Sequence, residues 1–144
     1  MASKRSQARQ HALQGLYQWQ VTGQDVRDIE RQFLEDQDIS RFEISYFREL
    51  LYGVPKRLGE LDRKLEPLLD RAVKQVDPVE RAVLRMGAYE LLFQPDIPYR
   101  VVINEAVELA KLFGAEQGHR YVNGVLDRLA REVRPFEAGR GRRV

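Results

Sequence analysis

The chain's 144 residues suit one domain, or two small subdomains sharing a core, rather than a multidomain enzyme. Hydrophobic residues make up 43% and charged residues 32%, and no apolar run approaches the roughly 20 residues of a membrane span, which excludes a membrane protein and describes a soluble one. The absence of cysteine removes disulfide and thiolate chemistry and, with no secretory signal at the N-terminus, favours a cytoplasmic location, whereas the formal charge of +2 decides little.

Apolar residues recur at helical spacing nearly everywhere and nowhere alternate as on a half-buried strand, which predicts an all-α protein. The first helix, over residues 3–21, sets Ala8, Ala12, Leu16 and Trp19 along one side with Leu13 and Tyr17 adjoining, and stops near Thr22 and Gly23. A short second helix begins after Asp25, with Val26, Ile29, Phe33 and Leu34 as its apolar face. Ser40, Arg41, Phe42 and Glu43 have the form of a capping box, in which a serine hydroxyl and a glutamate carboxylate satisfy the free amides at a helix start. The stripe Ile44, Phe47, Leu51, Val54, Leu58, Leu61 and Leu65 then keeps its phase through Gly53 and Pro55. An interior proline costs about 3 kcal/mol, so packing of that stripe must hold a kinked continuous helix, the alternative being a break near Gly53.

Asp77, Pro78 and Glu80 combine a capping aspartate, a proline at the first helical position and a glutamate at the third. The fourth helix runs from there to Phe93, with Val79, Val83, Met86 and Phe93 inward and Ala82 and Tyr89 alongside, and a loop with two prolines follows over 94–98. The fifth helix carries Ile103, Ala106, Val107, Leu109 and Ala110 on one face and ends at Gly114, where a left-handed turn is the common terminator. The last helix, over 116–133, uses Val122, Val125, Leu126, Leu129 and Val133, with Gly124 expected to let a neighbouring helix approach closely. Pro135 is expected to end the ordered chain, and no repeat of fixed period is visible. The prediction is six or seven helices in two bundled halves, about 1–66 and 77–134, followed by a basic, disordered tail over 135–144.

A search for catalytic chemistry finds no phosphate-binding glycine loop, metal-ligand spacing or nucleophile motif, so neither an enzyme nor a cofactor is predicted. His11 and His119 are far apart in sequence, and a lone helical histidine is more often a packed or surface residue than a catalyst. The acids lie beside arginines and lysines on helix faces, as on solvated surfaces.

Charge is distributed unevenly. Residues 1–20 carry Lys4, Arg5 and Arg9 with no acid, residues 21–50 carry eight acids against four arginines, and residues 131–144 carry five arginines against two glutamates. Cations at a helix start oppose the helix dipole, a cost more easily understood if an anion binds there. Around Gly114, Lys111, Phe113, Gln117, Arg120 and Tyr121 offer a phosphate contact, a stacking platform and base-edge hydrogen bonds, the combination that recognises unpaired RNA, although such aromatics serve as readily as core or surface filler. Asn104 and Asn123 interrupt apolar patterns, either as structural amides or as groups held out for a ligand. The C-terminal arginines read equally as phosphate contacts or as a solubilising tail.

The segments INEAVELAKLFG (103–114) and YVNGVLD (121–127), preceded by VERAVLRMGAYELL (79–92) and by ALQGLYQWQ (12–20), resemble the NusB family of bacterial transcription antitermination factors, from about residue 5 to residue 134. The resemblance implies a two-bundle helical fold and a non-enzymatic adaptor. Such an adaptor binds boxA-type leader RNA with the ribosomal protein NusE, within the assembly that makes RNA polymerase resistant to termination in ribosomal RNA operons. It implies an RNA surface that includes Lys4, Arg5, Arg9 and Tyr17, together with the residues around Gly114, and a partner surface on the fourth helix at Glu80, Arg81 and Arg85; a homodimer stays open. The family's arginine-rich segment before the first helix's aromatic pair is thin here, with Ser6 and Gln7 in place of further arginines, which puts the RNA affinity of the isolated chain in question. Two other readings are a helical protein-interaction module without specific RNA binding, and the RNA-binding part of a ribosomal RNA cytosine methyltransferase. The methyltransferase reading fails on length and on the missing cysteine.

Overall fold

The computed structural model describes residues 3–114 and 117–139, with the side chains of Ile39 and Gly139 excepted. Among the described residues there are seven α-helices and no strand: α1 (Lys4–Thr22), α2 (Val26–Asp36), α3 (Ile44–Lys56), α4 (Leu58–Leu65), α5 (Pro78–Phe93), α6 (Tyr99–Phe113) and α7 (Gly118–Val133). Short 3-10 turns occupy Ile39–Arg41, Glu66–Leu68 and Val73–Gln75, and a single π turn covers Pro135–Gly139. Packing divides the chain into two compact units, Met1–Lys56 and Arg57–Val144. The division lies ahead of the expected 67–77 junction, because α4 packs on α5.

In the first unit α1 packs against α2 and α3. Ser3 caps α1 by accepting from the Ser6 amide, and Asp25 caps α2 through the Arg27 amide, so both starts follow from local hydrogen-bonding chemistry. Ala8, Ala12, Leu13 and Leu16 of α1 meet Ile29, Phe47, Leu50, Leu51 and Val54 in a core from which water is excluded, while Trp19 is half-buried. His11, Phe33, Phe42 and Phe47 form a cluster of tilted and edge-on rings.

Two expectations for this unit need correction. The capping box at Ser40 does not form: Asp38 accepts from the Ser40 amide in a 3-10 turn, α3 begins only at Ile44, and the Glu43 carboxylate is taken by Arg5. A long-range ion pair thus displaces the local one. The third helix does pass Gly53 and Pro55, but it ends at Lys56 rather than continuing with a kink. Pro55 lacks the amide that would bond the Leu51 carbonyl, and two residues later Arg57 leaves the helical region before α4 starts.

In the second unit α5 is central, packed by α4, α6 and α7, and every residue from Ala82 to Leu91 is buried. Asp77 caps it through the Val79 and Glu80 amides, as its sequence predicts. Gly87 admits Leu126 of α7 so closely that a Cβ would stand 2.6 Å from Leu126 Cδ1. The predicted close approach at Gly124 is therefore at Gly87 instead: Gly124 is exposed and a Cβ there meets nothing within 4 Å.

Pro135 does not end the ordered chain. Arg134, 9% exposed, donates to the carbonyls of Leu91, Gln94 and Ile97 at 2.9–3.0 Å and to that of Glu90 at 3.3 Å, closing the C-terminus of α5. Carbonyls at a helix end have no intrahelical partner, and a guanidinium supplies several donors to them at once. Glu137 then accepts from the Tyr99 amide at 3.1 Å and caps α6, where Pro98 offers no capping side chain. The expected tail over 135–144 is thus folded through Gly139, and residues 140–144 lie outside the described residues.

Candidate nucleic-acid interface

The sequence-predicted site residues fall in both units. At the start of α1, Lys4 is exposed. Arg5 donates through Nε and Nη2 to the two carboxylate oxygens of Glu43, at 3.2 and 2.6 Å, and its guanidinium lies 4.2 Å from the centre of the Tyr46 ring. The hydrogen bond from Arg5 holds the Glu43 carboxyl below its usual range, and Glu43 raises Arg5 in turn. Arg9 is 3% exposed, with its guanidinium 5.4 Å from the same ring. As a phosphate contact Arg9 is therefore corrected: its head group is inside the fold, where Tyr46 faces it. Tyr17 is 41% exposed on the opposite stretch of α1 and is free to stack.

In the second unit α6 and α7 form a hairpin around Gly114. Gly114 is not left-handed, as the sequence suggested, but extended, with φ −99°. Glycine fits there because its amide bonds the Ala110 carbonyl at 2.8 Å, and a Cβ would stand only 2.8 Å from that same oxygen. The turn leaves Leu112 and Phe113 on the surface, 59% and 38% exposed. Lys111, paired loosely with Glu108 at 3.6 Å, and Gln117 and Arg120 are exposed. Asn104 and Asn123 are exposed as well, which excludes buried structural amides and leaves both available to a ligand. Glu116, the expected first residue of α7, lies outside the described residues.

Tyr121 differs from its neighbours. It is half-buried, donates its hydroxyl to Asp70 Oδ1 at 3.0 Å and accepts from the Asp70 amide at 3.3 Å, with Arg71 above its ring at 5.7 Å. Burial first, and then Asp70, pushes its hydroxyl pKa above the usual value. Tyr121 thus ties the chain between α4 and α5 to α7, a task that Arg128 shares by donating to the Leu68 carbonyl at 2.9 Å. Sequence reasoning missed Asp70, Arg71 and Arg128 here. Nothing local distinguishes Asp70 and Arg128 from solvated charges, because Tyr121 and Leu68 lie 51 and 60 residues away from them, and Arg71, paired with its neighbour Asp70, reads as a surface ion pair.

The three partner candidates on α5 behave differently from one another. Arg85 is 8% exposed and is held by Asp62 of α4 through two hydrogen bonds of 3.0 and 2.9 Å, so it braces the bundle and is corrected as a surface contact. Arg81 is half-buried, bonds the Lys74 carbonyl at 3.1 Å and has a guanidinium pKa lowered first by burial and then by Arg85. Glu80 packs on the start of α7, where a Cβ at Gly118 would stand 2.5 Å from its carboxylate. Burial, with Asp77 adding to it, raises the Glu80 carboxyl above its usual range.

Among the described residues no cluster of histidines and carboxylates could hold a metal ion, and no helix is long and apolar enough to cross a membrane. Each unit by itself offers exposed cations and aromatic faces on packed helices, chemistry that suits recognition of a polyanion with readable bases.

Comparison with known proteins agrees in kind. The NusB family model matches residues 6–131. Proteins named transcription antitermination protein NusB are similar to this chain: that of Nitrosococcus oceani is 62% identical over 95% of this chain and 92% of its own length, and that of Alcanivorax borkumensis is 54% identical over 97% and 93%. Among solved structures, NusB of T. maritima superposes with a TM-score of 0.79 at 31% identity, covering 97% of this chain and 99% of that one. A crystal structure of the antitermination factors NusB and NusE in complex with dsRNA matches at a TM-score of 0.77 and 25% identity, covering 88% and 96%.

Proposed function

This chain belongs to the NusB family, and from that premise we propose that it is a transcription antitermination factor, a non-enzymatic adaptor that joins boxA-type leader RNA to the ribosomal protein NusE. Within that assembly it makes RNA polymerase resistant to termination in ribosomal RNA operons, an activity of the bacterial cytoplasm. The observation that carries the reading is the family match over residues 6–131, reinforced by a relative at 62% identity that bears the antitermination name. The structurally similar NusB crystallised with NusE and dsRNA supplies the partner classes.

On this chain, Lys4 and Tyr17 in the first unit and Lys111, Phe113, Gln117, Arg120 and Tyr121 in the second are the RNA-facing residues of the proposal. Arg5 contributes through its partly exposed guanidinium, while Arg9 shapes the surface from beneath. Glu80 and Arg81 remain the polar contacts proposed for the ribosomal protein. Arg85 would act only by holding α4 against α5.

Binding is cooperative in this reading, because each partner brings RNA contacts and raises the effective concentration of the other. The test is fluorescence anisotropy of a labelled boxA-like RNA and a scrambled control, each with and without the NusE-type ribosomal protein. The boxA-like RNA should bind more tightly than the control, with the larger margin when the ribosomal protein is present. Equal affinity for both RNAs in the presence of the ribosomal protein would favour the protein-interaction module and overturn the RNA function.

A further inference from the structure

Within the second unit lies a cavity that none of the residues proposed for RNA or for the ribosomal protein lines. It measures about 430 Å³, between α4 and the last turn of α5, and is lined by Glu60, Arg63, Lys64, Leu92 and Phe93. Its origin is local. Leu61 and Leu65 turn the apolar face of α4 into the core, which leaves Glu60, Arg63 and Lys64 exposed. The buried run of α5 ends at Leu91, so Leu92 and Phe93 emerge half-buried. Phe93 stands at the opposite end of α5 from Glu80, which packs on the start of α7, roughly 20 Å away along a helix of this length.

Charge at the cavity is unbalanced. Every acid of α4 and of the residue that follows it is engaged: Glu60 pairs with Arg57 at 3.0 Å, Asp62 with Arg85 at 2.9 Å, and Glu66 accepts from the Val73 amide at 3.0 Å. Among the described residues no hydrogen bond or ion pair engages Arg63 or Lys64. The helix dipole favours cations in a last turn, so their place on α4 implies no ligand by itself. Their setting does. The Arg63 guanidinium lies beside Gly59, where a Cβ would stand 3.4 Å from Nη1, and α5 contributes the Phe93 ring, with the Arg57 guanidinium 4.6 Å from its centre. An aromatic wall beside two unengaged cations matches a ligand that carries a planar ring and a strong anion.

We propose that this cavity binds a nucleoside monophosphate, with the base against Leu92 and Phe93 and the phosphate held by Arg63 and Lys64. A phosphomonoester carries about −1.5 to −2 charges at neutral pH, which two cations balance. The volume falls in the range of roughly 300–1,000 Å³ typical of small-molecule sites and gives room for a ribose as well as a base. A free nucleotide and the 5′-phosphorylated end of an RNA present this same group. The site stands independently of the RNA-binding reading above.

The experiment titrates the full chain with adenosine and uridine monophosphates, inorganic phosphate, phenyl phosphate and adenosine, following backbone amide shifts by NMR. Each nucleotide should shift the amides of Arg63, Leu92 and Phe93, leave those around Gly114 unmoved, and bind at least about 10-fold more tightly than the three partial ligands. Arg63→Gln combined with Lys64→Gln, both at exposed positions, should weaken nucleotide binding about 10-fold or more without lowering the melting temperature, and Lys111→Gln should leave it unchanged. A 5′-phosphorylated hexanucleotide that displaces the mononucleotide, where its 5′-hydroxyl form does not, assigns the site to an RNA end. No displacement assigns it to the free nucleotide. Nucleotide shifts absent from Leu92 and Phe93, a partial ligand that binds as tightly as the nucleotide, or affinity that survives the double substitution would overturn the site.

Discussion

Asp62 of α4 accepts from two nitrogens of the Arg85 guanidinium, Nε at 3.0 Å and Nη2 at 2.9 Å, with the side chains 23% and 10% exposed. A paired, largely desolvated charge of this kind holds two helices in one register, and removing one member strands the other.

Arg85→Met should therefore lower the stability of the second unit by about 2 kcal/mol, a value below the full buried-pair penalty because Asp62 keeps some contact with water. Thermal denaturation measures it. If the melting temperature is unchanged while affinity for the ribosomal protein falls, Arg85 is a contact residue and the bracing role is wrong.

Lys4 and Arg9 should fail in opposite ways. Lys4→Ala, at an exposed position, should leave the melting temperature unchanged and reduce the salt slope of RNA binding by about 0.7, the loss of one phosphate contact on a single strand. Arg9→Ala removes a buried side chain beside Tyr46 and should lower the melting temperature. Arg9→Ala that stays fully stable and loses one phosphate from the slope would return Arg9 to the RNA surface.

Tyr121 carries two separable functions. Tyr121→Phe keeps the ring and removes the hydroxyl bond to Asp70, so it should loosen the chain between α4 and α5, seen as faster amide exchange there, while preference for the boxA-like sequence persists. Tyr121→Ala should also cost that preference, by about 1 to 3 kcal/mol if a base stacks on the ring. A drop in melting temperature with Tyr121→Ala and no change in sequence preference would make the tyrosine purely structural.

His11 should make the first unit sensitive to mild acid. Its ring lies 4.6 Å from Phe42 and 5.8 Å from Phe33, its Nδ1 is buried without a hydrogen-bond partner, and burial lowers its pKa from the usual 6.5. The unfolded chain then binds the proton more readily than the folded one. The stabilisation of the neutral ring is complete above the unfolded value and declines as pH falls below about 6.5, by at most about 1.4 kcal/mol per pH unit. Glu30 and Glu43, whose carboxyls are held low, add their own loss only below the ordinary carboxylate range near 4.5. Urea denaturation between about pH 5 and 8 should show the first decline in the wild type and not in His11→Phe; identical curves would exclude the histidine.

Helix positions, the starts at Asp25 and Asp77 and most of the core were legible in the chain because they depend on neighbours a few residues away, whereas the capping box read at Ser40 did not form. Asp25 and Asp77 cap the helices that follow them, and the stripe from Phe47 to Leu65 is buried at five of the positions read from its spacing. The INEAVELAKLFG and YVNGVLD segments likewise identified the family, since each is a local pattern and their order along the chain is itself sequence information.

What only the folded molecule decided was the fate of charged and terminal groups whose partners are distant in sequence. Glu43 resembles a capping residue until Arg5, 38 positions away, takes its carboxylate; Arg85 resembles a surface contact until Asp62 meets it; and Arg134 resembles the start of a loose tail until four carbonyls around the end of α5 bind it. A charged side chain's place, exposed to a ligand or held inside, is set by which opposite group tertiary packing brings within hydrogen-bond range, because the gain of that bond must exceed the loss of hydration. Periodicity reports which face of a helix is apolar and carries no record of that encounter.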